Sequence, residues 1–206
     1  MPILLLLVFS RGEGVGFTLP LSALALAISA GNPAIAYYDS ESRQLWFIRA
    51  NDAQGSSWPG AGVLVEAGGP GIDTGIRQIL LEVEGRPAVF YQETNFSDRL
   101  IYKRADDTVG TTWPGAGMLV ATITSSNPAS LPVTAATDGV NTGVAYIRDT
   151  TLYYRRLSDV GGSFEAEELV NSAGALDSPS LTFVDGRPAL SYYEATLGDL
   201  YFSIKY

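Results

Sequence analysis

A segment of about fifty residues, built around a tight glycine turn, recurs four times along this chain. An apolar run precedes each of these glycines and a second apolar run follows it, which is the pattern of a β-hairpin whose turn requires a positive φ. The turn glycines are Gly31, Gly85, Gly139 and Gly186, with spacings of 54, 54 and 47 residues. A period of this length is typical of propeller blades. The repeat therefore restricts the chain to an all-β architecture.

Each repeat contains up to four segments with the alternation and aromatic content of β-strands, named A to D here. Strands A and B flank the glycine, strand C opens on a leucine, and strand D follows a glycine-rich turn. The repeats cover residues 22–67, 77–123, 131–172 and 179–206, and residues 1–10 can supply the strand D that the last repeat lacks. We predict one β-propeller domain over residues 1–206, with four four-stranded antiparallel blades closed by pairing of Ile3–Val8 with the last blade. The alternative is an open segment of a larger propeller.

Two missing amino acids restrict the chemistry. The 206 residues contain no Cys and no His, which excludes disulfides, thiolate catalysis, Cys-ligated zinc and the usual general base. We predict no metal site and no cofactor. The formal net charge of -9 repels nucleic acid and anionic membranes, so neither is expected as a partner. A small molecule, a carbohydrate or a protein is the expected partner.

The repeat resembles those of uncharacterised bacterial propeller proteins through its pattern Gly-x-Pro-Ala-Ile/Val-x-Tyr-Tyr-Asp/Glu, followed by Leu-x-Tyr and Arg-Ala-x-Asp. The C–D turns that begin at Asp52 and Asp107 and end at Trp58 and Trp113 are similar to the Asp-box of sialidase and BNR-repeat propellers, Ser-x-Asp-x-Gly-x-Thr-Trp. Here Asp and Gly stand one residue further apart and an alanine replaces the leading serine. The resemblance implies structural turns remote from the active site, and it favours an extracellular over a cytoplasmic location.

A tyrosine and a nearby carboxylate occur in every repeat where strand B passes into the B–C loop. These pairs are Tyr37 with Asp39, Tyr91 with Glu93, Tyr146 with Asp149, and Tyr192 with Glu194. In a propeller the B–C loops and the D–A connections share one face, where ligands commonly bind. The pairs therefore predict an acidic, aromatic-rimmed site for a cation, a sugar or a basic peptide, to which the asymmetric positions Trp46 and Arg148 are added. The alternative is structural, because a residue repeated in all blades commonly packs or caps within its own blade.

Three functions are compatible with this pattern. We favour a non-catalytic module that binds a ligand or a protein through the B–C face, because equivalent acids in near-symmetric repeats have similar environments. Glycoside hydrolysis requires two carboxyls in different environments, one of which holds its proton. The alternatives are a sialidase-like glycoside hydrolase, or a fragment of one, and a structural repeat segment of a larger protein. The last of these would expose a hydrophobic edge and associate.

Overall fold

Four antiparallel sheets follow one another along the chain, each folded as an up-and-down meander. The computed structural model describes residues 9–10, 13–14, 21–69, 71–94, 98–123, 132–158 and 162–205. Ahead of the sheets, β1 (Phe9–Ser10) and β2 (Glu13–Gly14) pair as a short antiparallel ribbon. Sheet 1 consists of β3 (Leu21–Ser29), β4 (Asn32–Asp39), β5 (Gln44–Arg49) and β6 (Val63–Glu66). Sheet 2 consists of β7 (Asp73–Val83), β8 (Arg86–Thr94), β9 (Asp98–Arg104) and β10 (Met118–Ile123).

The two remaining sheets repeat this order of strands. Sheet 3 consists of β11 (Val133–Thr137), β12 (Thr142–Arg148), β13 (Thr151–Arg156) and β14 (Glu168–Asn171). Sheet 4 consists of β15 (Leu176–Val184), β16 (Arg187–Glu194) and β17 (Asp199–Ile204). The prediction of an all-β chain of antiparallel blades is confirmed, with three four-stranded sheets and one three-stranded sheet among the described residues. The predicted closing strand, Ile3–Val8, lies outside the described residues.

The chain divides into two compact units. Unit 1 comprises Met1–Asn95 and Ile101–Gly117, and unit 2 comprises Phe96–Leu100 and Met118–Tyr206. Sheet 1 and most of sheet 2 belong to unit 1, whereas sheets 3 and 4 belong to unit 2. The single domain over residues 1–206 stays a prediction.

The glycine turns between strands A and B set the register of the hairpins. In three repeats the turn has two residues, and both have positive φ: Ala30 and Gly31, Glu84 and Gly85, Asp185 and Gly186. A two-residue turn with two positive φ values is the type I′ geometry that matches the twist of paired strands. The third repeat differs, because Thr137 pairs with Thr142 across a four-residue turn.

The core of unit 1 lies between sheets 1 and 2. Strand β5 alternates, so that Leu45 and Phe47 face sheet 2, where they are buried with Leu80 and Val89. Trp113 packs edge-on against Phe47 with ring centroids 5.4 Å apart. A matching core in unit 2 lies between sheets 3 and 4 and contains residues of both.

A cationic side chain on strand C donates to strand D of the preceding sheet at two equivalent places. In unit 1 the Nζ of Lys103, which is buried, donates to the carbonyl of Val65 at 2.8 Å. In unit 2 a guanidinium nitrogen of Arg155 donates to the carbonyl of Val120. Each bond runs from strand C of one sheet to the backbone of strand D of the sheet before it, so the two cations connect successive sheets.

Candidate functional site

The carboxylate of Asp39 is engaged within its own B–C loop. Its Oδ1 accepts the backbone N–H groups of Glu41 at 2.9 Å and Ser42 at 3.4 Å, and its Oδ2 accepts the Ser42 hydroxyl at 2.7 Å. The side chain is buried. Short polar side chains commonly close loops in this way, because the loop's N–H groups have no strand partner.

Glu194 has the same role in sheet 4 and also connects two loops. Its carboxylate accepts the N–H groups of Thr196 at 2.9 Å and Leu197 at 2.6 Å in the B–C loop, and of Ala175 at 3.0 Å in the D–A connection. Desolvation opposes ionisation, but the hydroxyl and N–H of Thr196, with the N–H groups of Leu197 and Ala175, lower the pKa of Glu194. This carboxylate is therefore held in its ionised form.

The four repeated tyrosines lie within the sheets, and three of them bond to groups of a D strand or of the turn before it. The Tyr91 hydroxyl donates to Glu66 Oε2 at 2.7 Å, and the Tyr146 hydroxyl donates to Glu167. Tyr192 accepts a bond of 3.1 Å from Asn171 Nδ2 and stacks on Tyr201 with centroids 5.5 Å apart. The fourth, Tyr37, is likewise buried.

The remaining predicted site residues have different environments. Glu93 is buried on β8, opposite Thr74, whereas Asp149 is exposed with a φ of 56°. Trp46 is half-buried opposite Tyr37 and packs on the same small cluster. The structure thus brings Trp46 and Tyr37 together in unit 1.

Arg148 is fixed by contacts within its own sheet. Its guanidinium nitrogens donate to the two carboxylate oxygens of Glu167 at 3.1 Å and 2.7 Å. The guanidinium also lies 4.3 Å from the ring centroid of Tyr153. Because Glu167 also accepts the Tyr146 hydroxyl, Arg148 and Tyr146 share one carboxylate. A bidentate, stacked arginine of this kind is rigidly oriented.

A polar cluster that the repeat did not indicate joins the end of β4 and the B–C loop of sheet 1 to the first residues of β7. The Tyr38 hydroxyl donates to Asp73 Oδ1 at 2.7 Å, and Arg43 forms an ion pair of 3.4 Å with the same oxygen. Thr74 Oγ1 donates to the Arg43 carbonyl at 3.0 Å. Desolvation, then the hydrogen bond to Asp73, raise the pKa of Tyr38 to about 12, so its hydroxyl stays a donor. The tyrosine doublet at 37–38 was the sequence signal, but only its first member was singled out.

The Asp-box-like turns are closed by their aspartates. Asp107 accepts N–H groups from Val109, Thr111 and Thr112 and both threonine hydroxyls, and Asp52 holds the equivalent turn of the first repeat. Desolvation raises the pKa of Asp107, but the hydroxyl and N–H of Thr111, with the Val109 N–H and the Thr112 hydroxyl, lower it well below its usual range. These contacts assign the Asp107 carboxylate to closing its own turn.

Replacing Asp107 by asparagine is expected to destabilise the fold by about 1 kcal/mol at pH 7, a typical value for a capping side chain. The folded pKa is lower than the unfolded value of about 3.9, so this stabilisation is present above that pH and is lost as the pH falls towards the folded pKa. Urea unfolding at pH 7 and at about pH 3 should therefore show a smaller difference between variant and parent at the lower pH. The exposed neighbour Asp106→Asn is the control. A difference that does not change with pH would contradict the assignment.

Two adjoining clefts in unit 2 lie between sheets 3 and 4, at the end opposite the B–C loops. Their volumes are about 180 and 200 Å³, and Tyr154, Pro188 and Lys205 line both. Arg156 and Arg187 line the first of them. No repeated motif marks this end of the sheets, because the tyrosine and carboxylate pairs lie at the B–C end.

Neither a metal cluster nor a spanning segment is found in the part of the chain that the structure describes. These residues contain no group of three or more acidic side chains that could hold a metal ion. They also contain no helix of the length and apolarity needed to cross a bilayer.

Solved structures similar to this chain are β-propellers. The arabinanase Arb43A of Bacillus subtilis is 15% identical, with 88% of this chain and 69% of the arabinanase covered and a TM-score of 0.55. A GH43_1 enzyme from Xanthomonas citri, solved with xylose, is 11% identical, with 91% and 70% covered and a TM-score of 0.54. The Dos1 propeller is 10% identical, with 84% and 42% covered and a TM-score of 0.50. No protein-family model and no curated protein sequence matches.

The chain therefore has the β-propeller fold, as predicted. At these identities the likeness establishes the fold alone. A specific relationship to the BNR-repeat propellers is not supported by these neighbours.

Proposed function

We propose that this chain is a non-catalytic β-propeller module that binds a carbohydrate through the face carrying the B–C loops. The observation that supports this most is the engagement of Asp39 and Glu194 with backbone N–H groups of their own loops. These carboxylates are loop supports, and each holds the B–C loop of its own unit in a fixed shape. A preorganised polar face lowers the cost of ligand binding.

The lowered pKa of Glu194 argues against this residue as the proton donor of a glycoside hydrolase. A glycoside hydrolase needs one carboxyl whose pKa is raised, so that it can protonate the leaving oxygen. The pKa of Glu194 is shifted the opposite way. The sialidase-like alternative depends on the turns at Asp52 and Asp107, and both of these carboxylates are likewise bonded to their own turns.

The proposed ligand class follows from the polar groups of the face and from the neighbours. Arg43 and Asp73 leave 47% and 37% of their side chains exposed, beside the hydroxyl of Tyr38. Such fixed donors and acceptors suit the hydroxyl groups of a neutral sugar, which the net charge of -9 does not repel. Among the similar structures are an arabinanase and an enzyme solved with xylose, so arabinose and xylose oligosaccharides are the first ligands to test. An extracellular location, which the family resemblance favours, belongs to the same proposal.

Calorimetric titration of the chain with xylotriose and arabinotriose tests the proposal. We expect binding of at least one of them, and Arg43→Ala should weaken it by at least about tenfold because a charged hydrogen-bond donor is lost. Arg187→Ala removes an exposed arginine at the opposite end of the sheets and should leave affinity unchanged. The same samples are assayed for release of reducing sugar, where none is expected.

Each of the other outcomes contradicts a defined part of this proposal. Loss of affinity in Arg187→Ala alone would place the site in the cleft between sheets 3 and 4. Release of reducing sugar would exclude a non-catalytic module. Absence of binding to either sugar would refute the carbohydrate assignment.

A further inference from the structure

One face of sheet 4 exposes large apolar side chains. Leu200 is 78% exposed and Phe202 is 69% exposed, both on β17, and Tyr193 on β16 pairs opposite Leu200. We call Tyr193, Leu200 and Phe202 the tail face. Such a contiguous apolar group on a sheet is unusual for a surface that meets only water.

The positions of the tail face are buried wherever another sheet follows. In unit 2 the equivalents of Leu200 and Phe202 in sheet 3 are Leu152 and Tyr154, which are buried against sheet 4. In unit 1 the equivalents in sheet 1 are Leu45 and Phe47, which are buried against sheet 2. The tail face thus has the composition of a sheet-to-sheet interface.

Sheet 1 exposes the complementary half of this interface. Leu26 on β3 is 72% exposed, and Leu24 and Ile28 on the same face of the strand are also exposed. We call these three residues the head face. Leu26 stands at the same distance before its hairpin glycine as Leu80 of sheet 2 and Leu181 of sheet 4. Both of these leucines are buried against the sheet that precedes theirs.

We propose that the head face of one copy of this chain packs on the tail face of a second copy. The contact would repeat between molecules the packing that sheets 1 and 2, and sheets 3 and 4, already make within each unit. A second copy is the favoured occupant because it carries the side chains that this interface uses at the equivalent positions. The inference depends on the repeat and on exposure, and is independent of the proposed function.

A head-to-tail contact has two physical consequences. Each added copy leaves a further head or tail available, so association proceeds beyond a dimer unless the copies close on themselves. Because every copy carries a net charge of -9, repulsion opposes the contact and salt screens it. Association should therefore increase with protein concentration and with ionic strength.

Sedimentation velocity on the whole chain tests this with two blocking variants. Leu26→Asp places a charge in the head face, and Phe202→Asp places one in the tail face. Each variant alone should be monomeric, with association weakened by about 100-fold or more, as expected for a buried apolar anchor replaced by an unpaired charge. Mixed in equal amounts, the two variants retain one intact head and one intact tail, so they should form a one-to-one heterodimer and nothing larger.

Val140→Asp is the matched control, because Val140 is also an exposed apolar residue, at 81%, but lies in a hairpin turn outside both faces. It should associate as the parent does. Circular dichroism of all three variants checks that they are folded. A parent chain that stays monomeric at every concentration and salt level would overturn the proposal, since its faces would then be solvated or covered within one chain. Blocking variants that do not combine when mixed would also overturn it.

Discussion

Replacing Gly110 by alanine is expected to destabilise the fold by about 3 kcal/mol, the sum of a backbone term and a packing term. Gly110 has a φ of +77°, a region where an alanine costs about 1–2 kcal/mol. A Cβ at this position would lie 2.4 Å from Cε1 of Phe47, a ring that is buried in the core of unit 1. Urea unfolding with parent and variant gives the difference directly.

Gly55→Ala separates the two contributions. Gly55 occupies the same position in the turn of the preceding repeat and has a φ of +67°, but the nearest atom to its added Cβ is Pro33 Cγ at 3.4 Å. We expect a cost of about 1 kcal/mol, for the backbone alone. Combining Gly110→Ala with Phe47→Leu should recover part of the packing term, because the smaller side chain vacates the space. Equal costs for the two glycine variants would show that the Phe47 contact is unimportant.

This pair of glycines shows what the sequence alone could establish. Both were predictable as turn residues, because the spacing of Asp, Gly and Trp repeats between Asp52–Trp58 and Asp107–Trp113. The difference between them was not predictable. It depends on which side chain of the previous sheet lies beneath the turn, and that is a property of packing between distant segments.

The same limit applies to the candidate site. The repeat pattern assigns a tyrosine to strand B of every blade, but the partner of its hydroxyl depends on the D strand of the preceding sheet. At one equivalent position of that strand stand Glu66, Ala121 and Asn171. Tyr91 bonds to the first of these and Tyr192 to the last. Tyr146 bonds to Glu167 instead, since an alanine offers no acceptor.

The hairpins were the most predictable part of the fold. Their apolar alternation and their glycines are local signals, and three of the four turns have the two-residue geometry that the pattern indicates. The third repeat has Asp138 and Asn141 in a longer turn, where Asp138 accepts the N–H groups of Val140 and Asn141. That departure was visible in the sequence as a polar turn, but its register was not.

Lys103 is expected to be the most sensitive charged residue of unit 1. Its buried Nζ bonds to Glu66 Oε2 at 2.7 Å and to the carbonyl of Val65 at 2.8 Å, and Glu66 also accepts the Tyr91 hydroxyl. Lys103→Met removes the cation and leaves the Glu66 carboxylate and the Val65 carbonyl without their donor. We therefore expect the free energy of unfolding to fall by about 3 kcal/mol. Arg104→Met is the control, because its partner Glu84 is exposed, and this should cost less than about 1 kcal/mol.

A double-mutant cycle distinguishes an ion pair from simple packing. Glu66→Gln keeps an acceptor for Tyr91 but leaves the buried Lys103 ammonium without its counter-charge, so its own cost should also be about 3 kcal/mol. In the double variant Lys103→Met with Glu66→Gln no uncompensated charge is left, and the combined loss should be smaller than the sum of the single losses by about 1 kcal/mol or more. Additive losses would mean that Lys103 stabilises the unit through its methylene groups and the Val65 carbonyl alone. Arg155 makes the equivalent bond to strand D in unit 2, but Ala121 stands where unit 1 has Glu66, so no ion pair forms there. The losses caused by Arg155→Met and Ala121→Gln should therefore add in the double variant.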